Sequence, residues 1–144
     1  QLAGVDPVPE MLASARRKLP SAVALRPGWA EQLPFDDSQF DIVVSCNMFH
    51  FIDRPVDALG EIRRVLQPGG RLVITDWCGD YWACRLFEQY QRLLGRAHAR
   101  IYRARDCRRL LERAGFAVEA IDTYKINWRW GLRCLQNNIC LRSR

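Results

Sequence analysis

The side chains able to do chemistry fall at a few separated places along the chain. Asp6 closes a short apolar run, Leu2–Val5, and stands directly before Pro7. A carboxylate there can accept two hydroxyl donors at once, or cap a helix opening at Pro9, and the pattern alone leaves both roles open. Cys46 and Asn47 end a second apolar run that begins at Asp41. Nothing beside Cys46 in sequence is arranged to lower a thiol pKa, so a nucleophile finds no support. His50 has a side chain that can act as a general base near neutral pH, with a histidine serving shape only as the equal alternative. Asp76-Trp77 ends a third apolar run, and Trp29 and Glu31 sit in a loop opened by Gly28. The six cysteines (46, 78, 84, 107, 134, 140) contain no C-x-x-C pair, and the two histidines lie 48 residues apart, so no metal site is expected.

These places need elements to bring them together. Leu2–Val5 reads as a strand, stopped at Asp6-Pro7. Pro9 and Glu10 suit the first turn of a helix whose stripe is Met11, Leu12, Ala15 and Leu19, ended by Pro20. Ser21–Leu25 is a brief strand, and Gly28 to Ser38 a loop with Pro34 and Asp36-Asp37. Asp41–Cys46 has the length of a strand buried on both faces. A second helix follows Asp53 and Pro55, with Ala58, Leu59, Ile62, Val65 and Leu66 at a period near 3.6. Pro68-Gly69-Gly70 turns the chain into another buried strand, Arg71–Trp77. Ala83, Leu86, Phe87, Tyr90, Leu93 and Leu94 line a third helix, and Cys107, Leu110, Leu111 and Ala114 a fourth that Gly115 closes. The period then changes to 2, predicting a strand from Phe116 to Ile126. A second strand, Trp128–Cys134, would pair with it as an antiparallel hairpin. Residues 137–144 carry no pattern and are expected to fray. The order predicts an α/β sheet with one antiparallel edge, its ligand beyond the carboxyl ends of the parallel strands, where Asp6, Cys46-Asn47 and Asp76-Trp77 stand.

Composition bounds the class. With 144 residues, 49% hydrophobic and 26% charged, the chain has the make-up of one globular domain. No apolar stretch approaches the ~20 residues of a membrane span, and the thiol pattern fits a reduced, cytoplasmic protein. The net charge of +6 is uneven: residues 1–80 hold 8 basic against 11 acidic side chains, and residues 81–144 hold 14 against 5. That basic half could meet an anionic partner or form a solvated Arg-rich face, and its arginines make no single helical stripe.

Three segments resemble a known family. G-V-D-P-V-P-E-M-L (4–12), G-W-A-E-Q-L-P-F-D-D-S-Q-F-D-I-V-V-S (28–45) and E-I-R-R-V-L-Q-P-G-G-R-L-V-I-T-D (61–76) are similar, in order and spacing, to class I S-adenosylmethionine-dependent methyltransferases of the ubiquinone/menaquinone-biosynthesis type. The resemblance is close over residues 2–77 and holds in outline beyond. It implies a Rossmann-like α/β sheet of order 3-2-1-4-5-7-6 with the seventh strand antiparallel. The family's first strand and its glycine-rich loop have no match among the nine glycines here, so the expectation is an N-terminally truncated domain over residues 1–136, followed by the frayed tail.

The same resemblance implies S-adenosyl-L-methionine as cofactor, held by Asp6, Pro7, Met11, Trp29, Ala30, Cys46 and Asn47. Asp6 would take the ribose hydroxyls, with Pro7 and Met11 against the adenine. Trp29 replaces the family's usual Asp or Asn; an indole has only a donor, so it would stack or cover, while the backbone N–H of Ala30 keeps its role. Cys46 and Asn47 would meet the amino-acid end of the cofactor through the backbone, and Met48–Phe51 would face cofactor and acceptor, with His50 as the candidate base. Methyl transfer by in-line displacement to a small-molecule acceptor depends on alignment more than on a catalytic constellation. Three other readings compete: a methyltransferase acting on RNA, a nicotinamide oxidoreductase whose acidic residue after its second strand serves the ribose, and a non-enzymic basic binding domain. Nucleic acid is the less favoured partner, and the sequence is silent on oligomeric state.

Overall fold

Prolines start two of the helices. Pro9 and Pro55 occupy first-turn positions, where a missing N–H costs nothing, with Glu10 and Asp57 against the positive helix end. The computed structural model describes residues 2–94, 100–126 and 136–143. Its elements are β1 (Ala3–Asp6), α1 (Pro9–Lys18), β2 (Ala24–Pro27), β3 (Phe40–Cys46), a 3-10 turn (Phe49–Phe51), α2 (Pro55–Val65), β4 (Leu66–Trp77), α3 (Trp82–Leu93), α4 (Ala104–Arg113), β5 (Val118–Ile126) and β6 (Gln136–Ser143).

The strands form two sheets. β1 pairs in parallel with β2, while a four-stranded sheet runs β3-β4-β6-β5. β3 and β4 are parallel, and β6 is antiparallel to both of its neighbours. Numbered by the family order, the strands read 3-2, then 4-5-7-6, with no strand between β1 and β3 among the described residues. α2 places Ala58, Leu59, Ile62 and Val65 in the core, the stripe its period predicts. Ala58, Leu59 and Ile62 pack in one cluster with Leu72 and Ile74 of β4 and with Cys107 and Leu111 of α4. α4 ends where Gly115 takes a φ of 85°, a left-handed residue that lets the Phe116 N–H reach back to the Leu111 carbonyl at 3.0 Å.

Three expectations are corrected. β3 is not buried on both faces: Ile42 and Val44 are 52% and 62% exposed, because β3 pairs only with β4 and nothing described covers that face. β4 starts at Leu66 rather than after the Pro-Gly-Gly turn; Phe40 pairs with Leu66 and Ile42 with Arg71, so the turn is accommodated within the strand as a break in register. On α3, Leu86, Tyr90, Leu93 and Leu94 of the apolar stripe are exposed and Cys84 is buried. The expected frayed tail is strand β6, seated between β4 and β5. Ladder bonds on both edges order a segment whose own pattern is weak, which is tertiary pairing overriding local propensity. The expected strand Trp128–Cys134 lies outside the described residues.

Candidate functional site

The carboxyl ends of β1, β2 and β3 converge on one cleft of about 290 Å³. Asp6, Pro7 and Met11 line it from the end of β1 and the start of α1, Trp29 and Ala30 from the loop after β2, and Met48, Phe51 and Asp53 from the segment after β3. Five of the seven residues expected to hold a cofactor thus meet in one place. Gly28 permits the convergence: a Cβ there would stand 3.0 Å from both Pro34 and the Val5 side chain, closer than van der Waals contact allows.

Asp6 uses one carboxylate oxygen locally, Oδ1 accepting the Val8 N–H at 2.8 Å. This bond fixes the carboxylate at the mouth of α1. Oδ2 accepts no hydrogen bond among the described residues and remains free for a donor. Trp29 is 67% exposed and anchored through its backbone, the Gln32 N–H donating to its carbonyl at 3.1 Å. Its indole is therefore a wall of the cleft and not a core residue.

Cys46 and Asn47 do not line the cleft. The Thr75 hydroxyl donates to the Cys46 sulfur at 3.3 Å, and the Asn47 N–H donates to the Thr75 carbonyl at 2.8 Å. Asn47 has a φ of 49°, a left-handed conformation that asparagine tolerates better than most residues, and it turns the chain from β3 into Phe49–Phe51.

That turn buries His50 against Asp76. Nδ1 of His50 lies 2.5 Å from Oδ1 of Asp76, and each residue is 7% exposed. Asp76 also accepts the backbone N–H of His50 at 2.8 Å and of Trp77 at 2.7 Å. With Nδ1 facing a carboxylate, the proton of a neutral imidazole sits on Nδ1 and the Nε2 lone pair is left to accept one. The Phe51 ring packs 4.0 Å from the imidazole, and Phe51 itself lines the cleft. His50 itself does not line the cleft and adjoins it through the Phe51 ring. Two nearby thiols are poor nucleophiles: burial pushes Cys107 up to about 12, with the Asp76 charge adding to it, and burial pushes Cys78 up to about 11.

Sequence reasoning missed Asp53 in the cleft and Asp76 as the partner of His50. The second was recoverable only from register, since Cys46 pairs with Thr75 and so brings the next residues of β3 and β4 side by side.

Comparison with known proteins is consistent with this arrangement. Residues 1–74 match the family described as a methyltransferase domain. An uncharacterized methyltransferase of Mycobacterium tuberculosis is 50% identical over 68 residues, 47% of this chain and 27% of that protein. The demethylmenaquinone methyltransferase of Thermus thermophilus is 41% identical over 80 residues, 54% of this chain and 36% of that protein. Among solved structures, a SAM-dependent methyltransferase of Thermotoga maritima described as a possible histamine N-methyltransferase has a TM-score of 0.82 at 24% identity, covering 99% of this chain and 72% of that one. The chain spans between a quarter and two fifths of the length of these two curated relatives. With a family match over 74 of 144 residues, and with the strand order within each of its two sheets agreeing with the order the resemblance implies, this chain belongs to the class I S-adenosylmethionine-dependent methyltransferases.

Proposed function

We propose that the protein transfers a methyl group from S-adenosylmethionine to a small-molecule acceptor, and that the cleft at the ends of β1, β2 and β3 takes the adenosine half of the cofactor. The observation that carries this reading is the meeting of a half-free carboxylate, Asp6, with the apolar walls of Pro7, Met11 and Trp29 in one cleft of about 290 Å³. A vicinal diol needs an acceptor fixed in place, and an adenine needs flat apolar surface with a backbone donor. Asp6, Trp29 with Met11, and the N–H of Ala30 supply these in turn. When bound, the cofactor supplies an electrophilic methyl group on sulfonium sulfur.

The chain's own residues do the rest. Asp6 binds and orients; Trp29 and Met11 cover the base and exclude water. Cys46 and Asn47, outside that cleft, would meet the amino-acid end through backbone carbonyls. His50, held by Asp76, accepts at Nε2 the proton that the acceptor loses as it is methylated. The similarity to a demethylmenaquinone methyltransferase supports a small-molecule acceptor, and the aromatic surface of Phe51 beside His50 suits an apolar one.

Calorimetric titration with S-adenosylhomocysteine tests the reading. Saturable binding is expected, weakened about 10- to 100-fold in Asp6→Ala, the loss of a charge-assisted hydrogen-bond acceptor. Equal affinity in the variant, or binding of NAD in place of S-adenosylhomocysteine, would contradict it.

A further inference from the structure

The loop that carries Trp29 and Ala30 has no hydrogen-bonded strand to define it, yet one guanidinium spends every donor it has in and around that loop. Arg64 of α2 donates Nε–H to Glu61 Oε1 at 2.7 Å. From NH1 it donates to the Phe35 carbonyl at 2.8 Å and to Asp37 Oδ1 at 2.7 Å. From NH2 it donates to the Leu33 carbonyl at 3.0 Å and to Glu61 Oε2 at 2.8 Å. These are all five N–H donors of an arginine. Glu61 completes the lock by accepting the Leu33 N–H on Oε2 at 2.8 Å, so the backbone of Leu33 is held on both its donor and its acceptor.

We infer that Glu61 and Arg64 are positioning residues for the cofactor cleft, fixing from α2 the loop that presents Trp29 and Ala30. The path from lock to cleft is short. Leu33 adjoins Gln32, which bridges to Trp29, and Gly28 at the other end of the loop donates to the Asp6 carbonyl at 3.4 Å. The residue that precedes α2 touches the loop as well, the Arg54 N–H donating to Glu31 Oε1 at 3.4 Å. The pair is part-buried, with side-chain exposures of 31% for Arg64 and 22% for Glu61, so water competes for it only in part. The Arg64 guanidinium holds the Glu61 carboxyl below its ordinary range, and the carboxylates of Glu61 and Asp37 raise the guanidinium above its own. A lysine cannot replace this fork, since an ammonium is a point charge with three donors.

The inference rests on the proposed cofactor cleft, and the test separates the two. Arg64→Lys and Glu61→Gln are compared with wild type by hydrogen exchange across residues 28–37 and by S-adenosylhomocysteine titration. In Arg64→Lys, exchange over 28–37 is expected to rise about tenfold with β4 unchanged, and the ligand to bind about tenfold more weakly. Glu61→Gln keeps an acceptor for the Leu33 N–H and is expected to fall between the two. In turnover, KM for the cofactor rises in Arg64→Lys while kcat holds. Exchange that rises across the whole protein, or a loosened loop with unchanged ligand affinity, would reduce the pair to a structural role and overturn the inference alone. Failure of wild type to bind the ligand would overturn the cofactor reading, and this inference with it.

Discussion

His50 and Asp76 show why residue-level chemistry is only partly legible in a sequence. Asp6 is marked locally, by an apolar run that stops at an acid and a proline, and it duly stands in the cleft. The His50–Asp76 pair joins positions 26 residues apart, and only the β3–β4 register brings them to 2.5 Å. If the pair is the base, His50→Gln should lower kcat by on the order of 10²-fold with cofactor KM unchanged, and Asp76→Asn should lower it in the same direction. Steady-state kinetics with saturating acceptor would check this, and a change confined to KM would place His50 in binding instead. Glu61 offers a pH test at the same scale. Its folded pKa lies below the ordinary value of 4.5, so its contribution is fully present above that value and is lost as pH falls through the folded pKa. Protection over residues 28–37, corrected for the intrinsic exchange rate, should therefore fall on acidification below about pH 4.5, and Glu61→Gln should weaken that dependence, with Asp37 on the same guanidinium supplying the remainder.

At the scale of elements, α2 and α4 were readable because their apolar stripes coincide with what they bury. Leu59 is 0% exposed, so Leu59→Ala should cost about 2–5 kcal/mol in denaturant unfolding. Leu93, on the outward face of α3 at 84% exposure, should cost under about 0.5 kcal/mol when changed to alanine. Periodicity reports that a helix is amphipathic and not what its apolar side meets, which is why the outward direction of the α3 stripe was not legible. β6 was unreadable for the opposite reason. Its order comes from β4 and β5 on either side, and nothing in Gln136–Ser143 alternates strongly enough to announce it.

Across the whole molecule, two parallel pieces of sheet present their strand ends to a common cleft, so the site is a product of topology more than of any one element. Among the described residues no strand pairs with the outer edge of β3, beside the exposed Ile42 and Val44, an arrangement that invites association between copies. Val44→Lys should therefore reduce light scattering at high protein concentration, whereas unchanged scattering would show that this edge does not drive association. The sequence segments that resemble the family are those that build the cleft, the brace on its loop and the strand that carries Asp76. The account stands or falls on what the cleft holds. A crystal structure of the protein with S-adenosylhomocysteine tests this most directly. The account predicts both ribose hydroxyls on the Asp6 carboxylate and the adenine between Met11 and Trp29, against the N–H of Ala30. Ligand bound elsewhere, or in the cleft with Asp6 turned away from the ribose, would contradict it.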